Sequence, residues 1–138
     1  MKQKAIISIV SKQLAVDPDA IEVHTPGVYF KKEGFYFAEY EETEISGMEG
    51  TVTKLQIHPE KLILIREGTT TAKMEFEKNK NYVTLYNTPY GTMELNIQTK
   101  DLKIDVNETG GKICIDYKMG APGQKPLKTE LTINIKVQ

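Results

Sequence analysis

Residues 51–76 read TVTKLQIHPEKLILIREGTTTAKMEF. Leu55 and Ile57 stand two apart, and Ala72, Met74 and Phe76 repeat that spacing after a break. A two-residue period is that of a β-strand with one face buried. His58-Pro59-Glu60-Lys61 turns the chain between the two runs, and Glu67-Gly68 puts a glycine where a bulged type I hairpin needs a left-handed residue. Residues 62–66, LILIR, are apolar on both faces, which predicts a strand covered on both sides.

The same beat runs outward in both directions. Upstream, residues 4–14 form a first strand, Asp17-Pro18-Asp19 breaks it, and residues 20–31 resume with Pro26-Gly27 marking a kink or bulge. Lys32-Glu33-Gly34 is a hairpin turn, residues 35–42 return, and residues 43–50 are a loop. Downstream, residues 77–81 turn into the strand 82–86, and Thr88-Pro89-Tyr90-Gly91 is a sharp turn, with proline presetting its dihedral. Met93, Leu95 and Ile97 alternate, then the parity flips to Leu102, Ile104 and Val106, which marks a bulge, bend or turn near residues 99–101. Glu108–Gly111 closes a hairpin, Ile113, Ile115 and Tyr117 form a strand, residues 120–126 a loop, and Leu131 to Val137 the last strand. Short strands, tight turns and no long helical period predict an all-β fold: one antiparallel up-and-down barrel of about eight to ten strands over residues 1–138. Closure hides the edges that a sandwich would expose.

Charge and composition narrow the function classes. The net charge is −1, without the basic excess of a nucleic-acid binder. Residues 1–50 hold 9 acids against 5 lysines, and residues 51–138 hold 13 basic residues against 10 acids. Cys114 is the single cysteine, so no intrachain disulfide forms, which suits a reducing compartment. The apolar run 5–10 is short for a signal peptide, and no run reaches the length of a membrane helix. A cytoplasmic protein is expected, with neither nucleic acid nor membrane as partner.

The residues whose chemistry exceeds the needs of a fold are few. Arg66 is the only arginine among 18 basic residues, and arginine is the better fork for a carboxylate or phosphate. Its direction depends on register. A three-residue loop over residues 66–68 puts Leu62 and Leu64 on the face of Ala72, Met74 and Phe76, with Arg66 at the rim; a two-residue loop puts Ile63 and Ile65 there instead. Aromatics cluster at Tyr29, Phe30, Phe35, Tyr36, Phe37 and Tyr40, and again at Tyr82, Tyr86 and Tyr90; they suit a cavity lining and are equally ordinary strand formers. Glu39, Glu41, Glu42, Glu44 and Glu49 match no calcium loop. With two histidines and one cysteine at no zinc-ligand spacing, no metal and no cofactor are expected. No GxSxG, P-loop, dinucleotide or HExxH motif occurs, so no catalytic residue is assigned.

The run from Thr51 to Leu102 resembles a known family in its TxTKLxI, LILIREG, AKMEF and Tyr86-Asn87-Thr88-Pro89-Tyr90-Gly91 segments, with Thr99 before Leu102. Preceded by Glu39-Tyr40-Glu41-Glu42 and the 46–50 loop, it is similar to the YwiB-like family of bacterial β-barrel proteins. The resemblance implies a calycin-type, lipocalin-like barrel, and it supplies no activity. The matched positions are Arg66, Gly68, Met74, Tyr86, Thr88, Pro89, Tyr90, Gly91 and Thr99. The Gly-x-Trp of true lipocalins is missing, since the chain has no tryptophan.

Three functions follow as expectations. The first is non-enzymatic binding of a small, partly apolar molecule in or at the mouth of the barrel, through Arg66, Tyr36, Met74, Tyr86, Thr88 and Tyr90. The second is a protein-interaction or assembly module with a filled core, in which the chain's own N-terminal strand or a second copy covers residues 62–65. An enzyme requires ionisable groups converging in a pocket, which sequence does not display.

Overall fold

The computed structural model describes residues 2–13, 17–46 and 48–138, with residues 17–20 and 46 described by backbone alone. Ten strands follow one another: β1 (Gln3–Gln13), β2 (Asp17–Lys32), β3 (Phe35–Glu41), β4 (Thr51–Ile57), β5 (Lys61–Gly68), β6 (Ala72–Glu77), β7 (Asn81–Thr88), β8 (Gly91–Asn107), β9 (Gly110–Gly120) and β10 (Leu127–Val137). A 3-10 turn, Glu44–Ser46, interrupts the loop after β3. The sheet order is β6-β5-β4-β3-β2-β1-β10-β9-β8-β7, with every paired neighbour antiparallel.

The two outer strands of that order, β6 and β7, are consecutive in the chain, and they meet. Thr71 and Asn87 exchange two backbone hydrogen bonds of 2.9 Å. Below them the Thr84 hydroxyl donates to the Lys73 carbonyl at 2.6 Å. The barrel is therefore nearly closed, with a seam that one bridge and one side-chain bond hold in place of a full ladder.

Register decides which residues face inward. Leu62 lies opposite Phe76, Leu64 opposite Met74, and Arg66 opposite Ala72, so Arg66 belongs to the interior face. The loop that sets this register is longer than the sequence suggests: β5 runs on through Gly68, which pairs with Thr51, and the chain turns over residues 69–71. Gly68 has φ +135, and a Cβ there would clash with the Gly50 carbonyl oxygen. Glycine is thus required by close approach to the chain entering β4 as well as by its own backbone conformation. Ile63 points outward, yet its place between Gln56 and Glu75 on the flanking strands leaves it buried.

Two further expectations change, and a third narrows to one of its alternatives. Asp17-Pro18-Asp19 does not break a strand; β2 begins at Asp17, paired with Gln13, while Leu14 and Gly47 lie outside the described residues. Pro26-Gly27 makes no bulge, because the pairing of β2 with β1 runs unbroken from Ile21 to Tyr29. Pro26 instead stands where the ladder to β3 ends, at the Gly27–Tyr40 pair, so its missing N–H costs no bond on that side. The parity flip is a bulge between Thr99 and Asp101 within one long strand, β8.

The lower half of the barrel is solid. Ile7, Leu55, Leu62, Ile97, Ile113 and Ile133 are fully buried there. Tyr29 spans the lower end, its ring stacked on Tyr36 at 5.3 Å and its hydroxyl donating to the Asn107 carbonyl at 2.8 Å.

Candidate functional site

Above that packed layer the inward-facing side chains stop filling the interior. A cavity of about 580 Å³ opens toward the end of the barrel that carries the 42–50 loop, the 88–91 turn and the 121–126 loop. Its walls follow from strand alternation: Leu64 from β5, Met74 and Phe76 from β6, Leu95 from β8 and Leu131 from β10. Four of the chain's five methionines, Met48, Met74, Met93 and Met119, line it. Methionine is unbranched and polarisable, so a wall rich in it adapts to an occupant. At the rim Ile21, Ile45 and Met93 are at least half exposed.

One guanidinium enters this apolar space. Arg66 is level with Thr53 on β4, and Thr53 with Tyr40 on β3. Arg66 donates from Nη1 to the Tyr86 hydroxyl at 3.4 Å, and that hydroxyl donates to the Met48 sulfur at 3.2 Å. The Nε of Arg66 is buried and has no hydrogen-bond partner among the described residues. Among the described residues no carboxylate lies within ion-pair distance of it; the ion pairs present are formed by lysines or His24. The residue as a whole is half-buried at the cavity wall.

Two more tyrosines border the guanidinium. Tyr40 and Tyr117 are both buried, 6% and 8% exposed. Burial pushes the Tyr40 hydroxyl above the ordinary tyrosine range, Glu42 pushes it further, and Arg66 opposes both. Burial also raises Tyr117, against the pull of Arg66 and a hydrogen bond with Thr129. Both hydroxyls therefore stay protonated at neutral pH and serve as hydrogen-bonding groups rather than bases. The Tyr117 ring meets Phe76 edge-on at 5.0 Å, which fixes it on the cavity floor.

The residues singled out from sequence divide into three places. Arg66, Met74 and Tyr86 come together on the cavity wall. Tyr36 faces inward at the opposite end, stacked on Tyr29 and separated from the cavity by the packed core. Thr88 and Tyr90 lie on the outer side of the mouth, in a shallower recess that shares Tyr86, Met48 and Met93 with the main cavity. Thr88 there caps its own turn, donating to the Gly91 carbonyl at 3.0 Å and accepting from the Tyr90 N–H at 3.1 Å, while Tyr90 is fully exposed. Tyr40 and Tyr117 were visible in the alternation, but only the barrel register places them beside Arg66. Met48 sits in a loop without periodicity, so nothing local pointed to it.

Fold and site together define an antiparallel β-barrel protein with a packed lower half and an open upper cavity. Residues 7–133 match the family model described as "Domain of unknown function (DUF1934)", and the chain belongs to that family. It is 26% identical over 136 residues to the Bacillus subtilis (strain 168) protein described as "Uncharacterized beta-barrel protein YwiB", covering 96% of this chain and 94% of that protein. The crystal structure of the ywiB protein from Bacillus subtilis superposes with a TM-score of 0.88 at 20% identity, over 99% of this chain and 93% of that one. The YwiB-like resemblance and the barrel fold both hold.

Proposed function

We propose that this protein binds a small, partly apolar molecule in the upper half of the barrel and performs no chemistry on it. The observation that carries the reading is the cavity itself: about 580 Å³, in the range of small-molecule sites, walled by leucine, phenylalanine and methionine and holding one guanidinium. Apolar walls supply affinity, and a few polar groups orient the occupant. Many outward-facing residues of the strands, such as Lys54, Glu94, Gln98, Glu130 and Lys136, are polar, unlike the apolar band of a barrel that faces lipid. That favours a role away from the bilayer.

Methyl-resolved NMR of the labelled methionines tests the reading. Addition of decanol or decanoate is expected to shift Met48, Met74, Met93 and Met119 in a saturable way and to leave the methyls of Ile7 and Ile113 in the packed half unchanged. No shift at any of the four with either probe contradicts it.

A second reading, homo-oligomeric assembly, rests on one observation. Val83 and Leu85 on the outer face of β7 are 52% and 60% exposed beside the weakly bonded seam. An outer apolar pair next to an open ladder is where a second copy would add. Sedimentation at high concentration tests it; a dimer lost in Leu85→Lys supports this reading, and a monomer at all concentrations removes it.

A further inference from the structure

We infer that the occupant of the upper cavity is an apolar carboxylate: a singly charged planar head received by Arg66, with the hydrocarbon part lying against Leu64, Met74 and Leu131. This rests on the small-molecule reading above and names the chemistry of that molecule. Three observations carry it.

The first is the state of Arg66. Its Nε is buried without a partner and its Nη1 reaches only a phenol at 3.4 Å, a long bond. A guanidinium offers parallel N–H groups in a fork that matches the two oxygens of a carboxylate. The Nε edge is enclosed by protein, so a head group meets the fork at its Nη groups. The second is Tyr86. Its hydroxyl proton goes to the sulfur of Met48, a weak acceptor, and an arriving carboxylate oxygen is the stronger one. Arg66 and Tyr86 thus present adjacent donors to one head group.

The third is the count of charges around the mouth. Arg66 is the cation of the wall, and Lys125 joins it only at the exposed rim. Glu41 and Glu42 line the same mouth. A single negative charge is neutralised by Arg66. A phosphate monoester brings a second charge that has no second cation on the cavity wall and faces two glutamates. The arrangement therefore selects a monoanion.

Titration calorimetry with three probes of equal chain length tests this: decanoate, decanol and decyl phosphate. Decanoate is expected to bind with one site, about tenfold or more tighter than decanol, as a hydrogen-bonded charged head implies. Decyl phosphate is expected to be weaker than decanoate. Arg66→Met is expected to abolish the preference for decanoate over decanol. Arg66→Lys is expected to recover part of the loss through charge alone. Decanol binding as tightly as decanoate overturns the head-group assignment and leaves the cavity reading standing. Decyl phosphate binding more tightly overturns the carboxylate in favour of a dianion. If neither decanoate nor decanol binds, both this inference and the small-molecule reading fall. The comparison of probes on the native chain decides the matter even if Arg66→Met fails to fold.

Discussion

Arg66 and Tyr86 stand on strands that do not pair with each other, β5 and β7, yet the Arg66 Nη1 lies 3.4 Å from the Tyr86 hydroxyl. The contact spans the β6–β7 seam from inside the barrel. The bond is long, the site borders an open cavity, and water can take the place of a lost hydroxyl. Tyr86→Phe is therefore expected to change the free energy of unfolding by about 1 kcal/mol or less. Urea denaturation of the two proteins checks this.

The wall of the seam depends on Thr84. It is buried, and its hydroxyl supplies the Lys73 carbonyl where a ladder bond would otherwise be. Thr84→Val keeps the shape and removes the donor, so a loss of about 1–2 kcal/mol is expected. Hydrogen exchange is expected to quicken in β6 and β7 first, with β1 and β10 little changed.

Truncations should separate the two halves of the barrel. Leu55 is fully enclosed, so Leu55→Ala leaves a void and is expected to cost about 2–5 kcal/mol. Met74 already borders open space, so Met74→Ala enlarges an existing cavity and is expected to fall at or below the lower end of that range, about 2 kcal/mol. Denaturant midpoints at unchanged slope provide the comparison; equal costs would mean that the upper half is packed like the lower.

Gly27 faces inward where β2 and β3 approach. A Cβ there would clash with the Glu39 carbonyl oxygen and lie 2.6 Å from the Ile7 Cδ1. One contact is backbone and the other is core, so neither yields easily. Gly27→Ala is expected to destabilise by about 1–3 kcal/mol, as overpacking does. A thermal melt reads it directly.

Alkaline stability carries the signature of the buried tyrosines. Tyr29, Tyr40 and Tyr117 all have hydroxyls pushed above the ordinary tyrosine value, chiefly by burial. A raised folded-state value means that the unfolded chain releases these protons first, above about pH 10. Their contribution is therefore complete below about pH 10 and declines as pH rises beyond it. Stability measured from pH 8 to 11 should hold and then fall, and phenolate absorbance from these three rings should appear together with unfolding.

The architecture was legible because the apolar period is local. Alternation of Leu55 with Ile57, and of Ala72, Met74 and Phe76, survives any choice of turn, and the shift near Asp101 had to be a bulge, a bend or a turn. The placement of Arg66 was only half legible. Its face hangs on one register, and two loop lengths were consistent with the residues; the observed loop, residues 67–71, is longer than either. The setting of that arginine depends on Tyr40, Tyr86 and Tyr117, which come from three separate strands and meet only when the barrel closes. Tyr36 shows the same point in reverse. It shares an inward face with Tyr40 on β3, but four residues along a strand carry it from the cavity to the packed end. Alternation reports the face of a residue and not its height in the barrel.

The most direct measurement is native mass spectrometry of the protein purified from its own host, set against its spectrum under denaturing conditions. The account predicts an added small mass in the native spectrum alone, one molecule per chain, which Arg66→Met diminishes. A bare chain from the host that also takes up neither decanoate nor decanol would contradict a ligand-binding barrel.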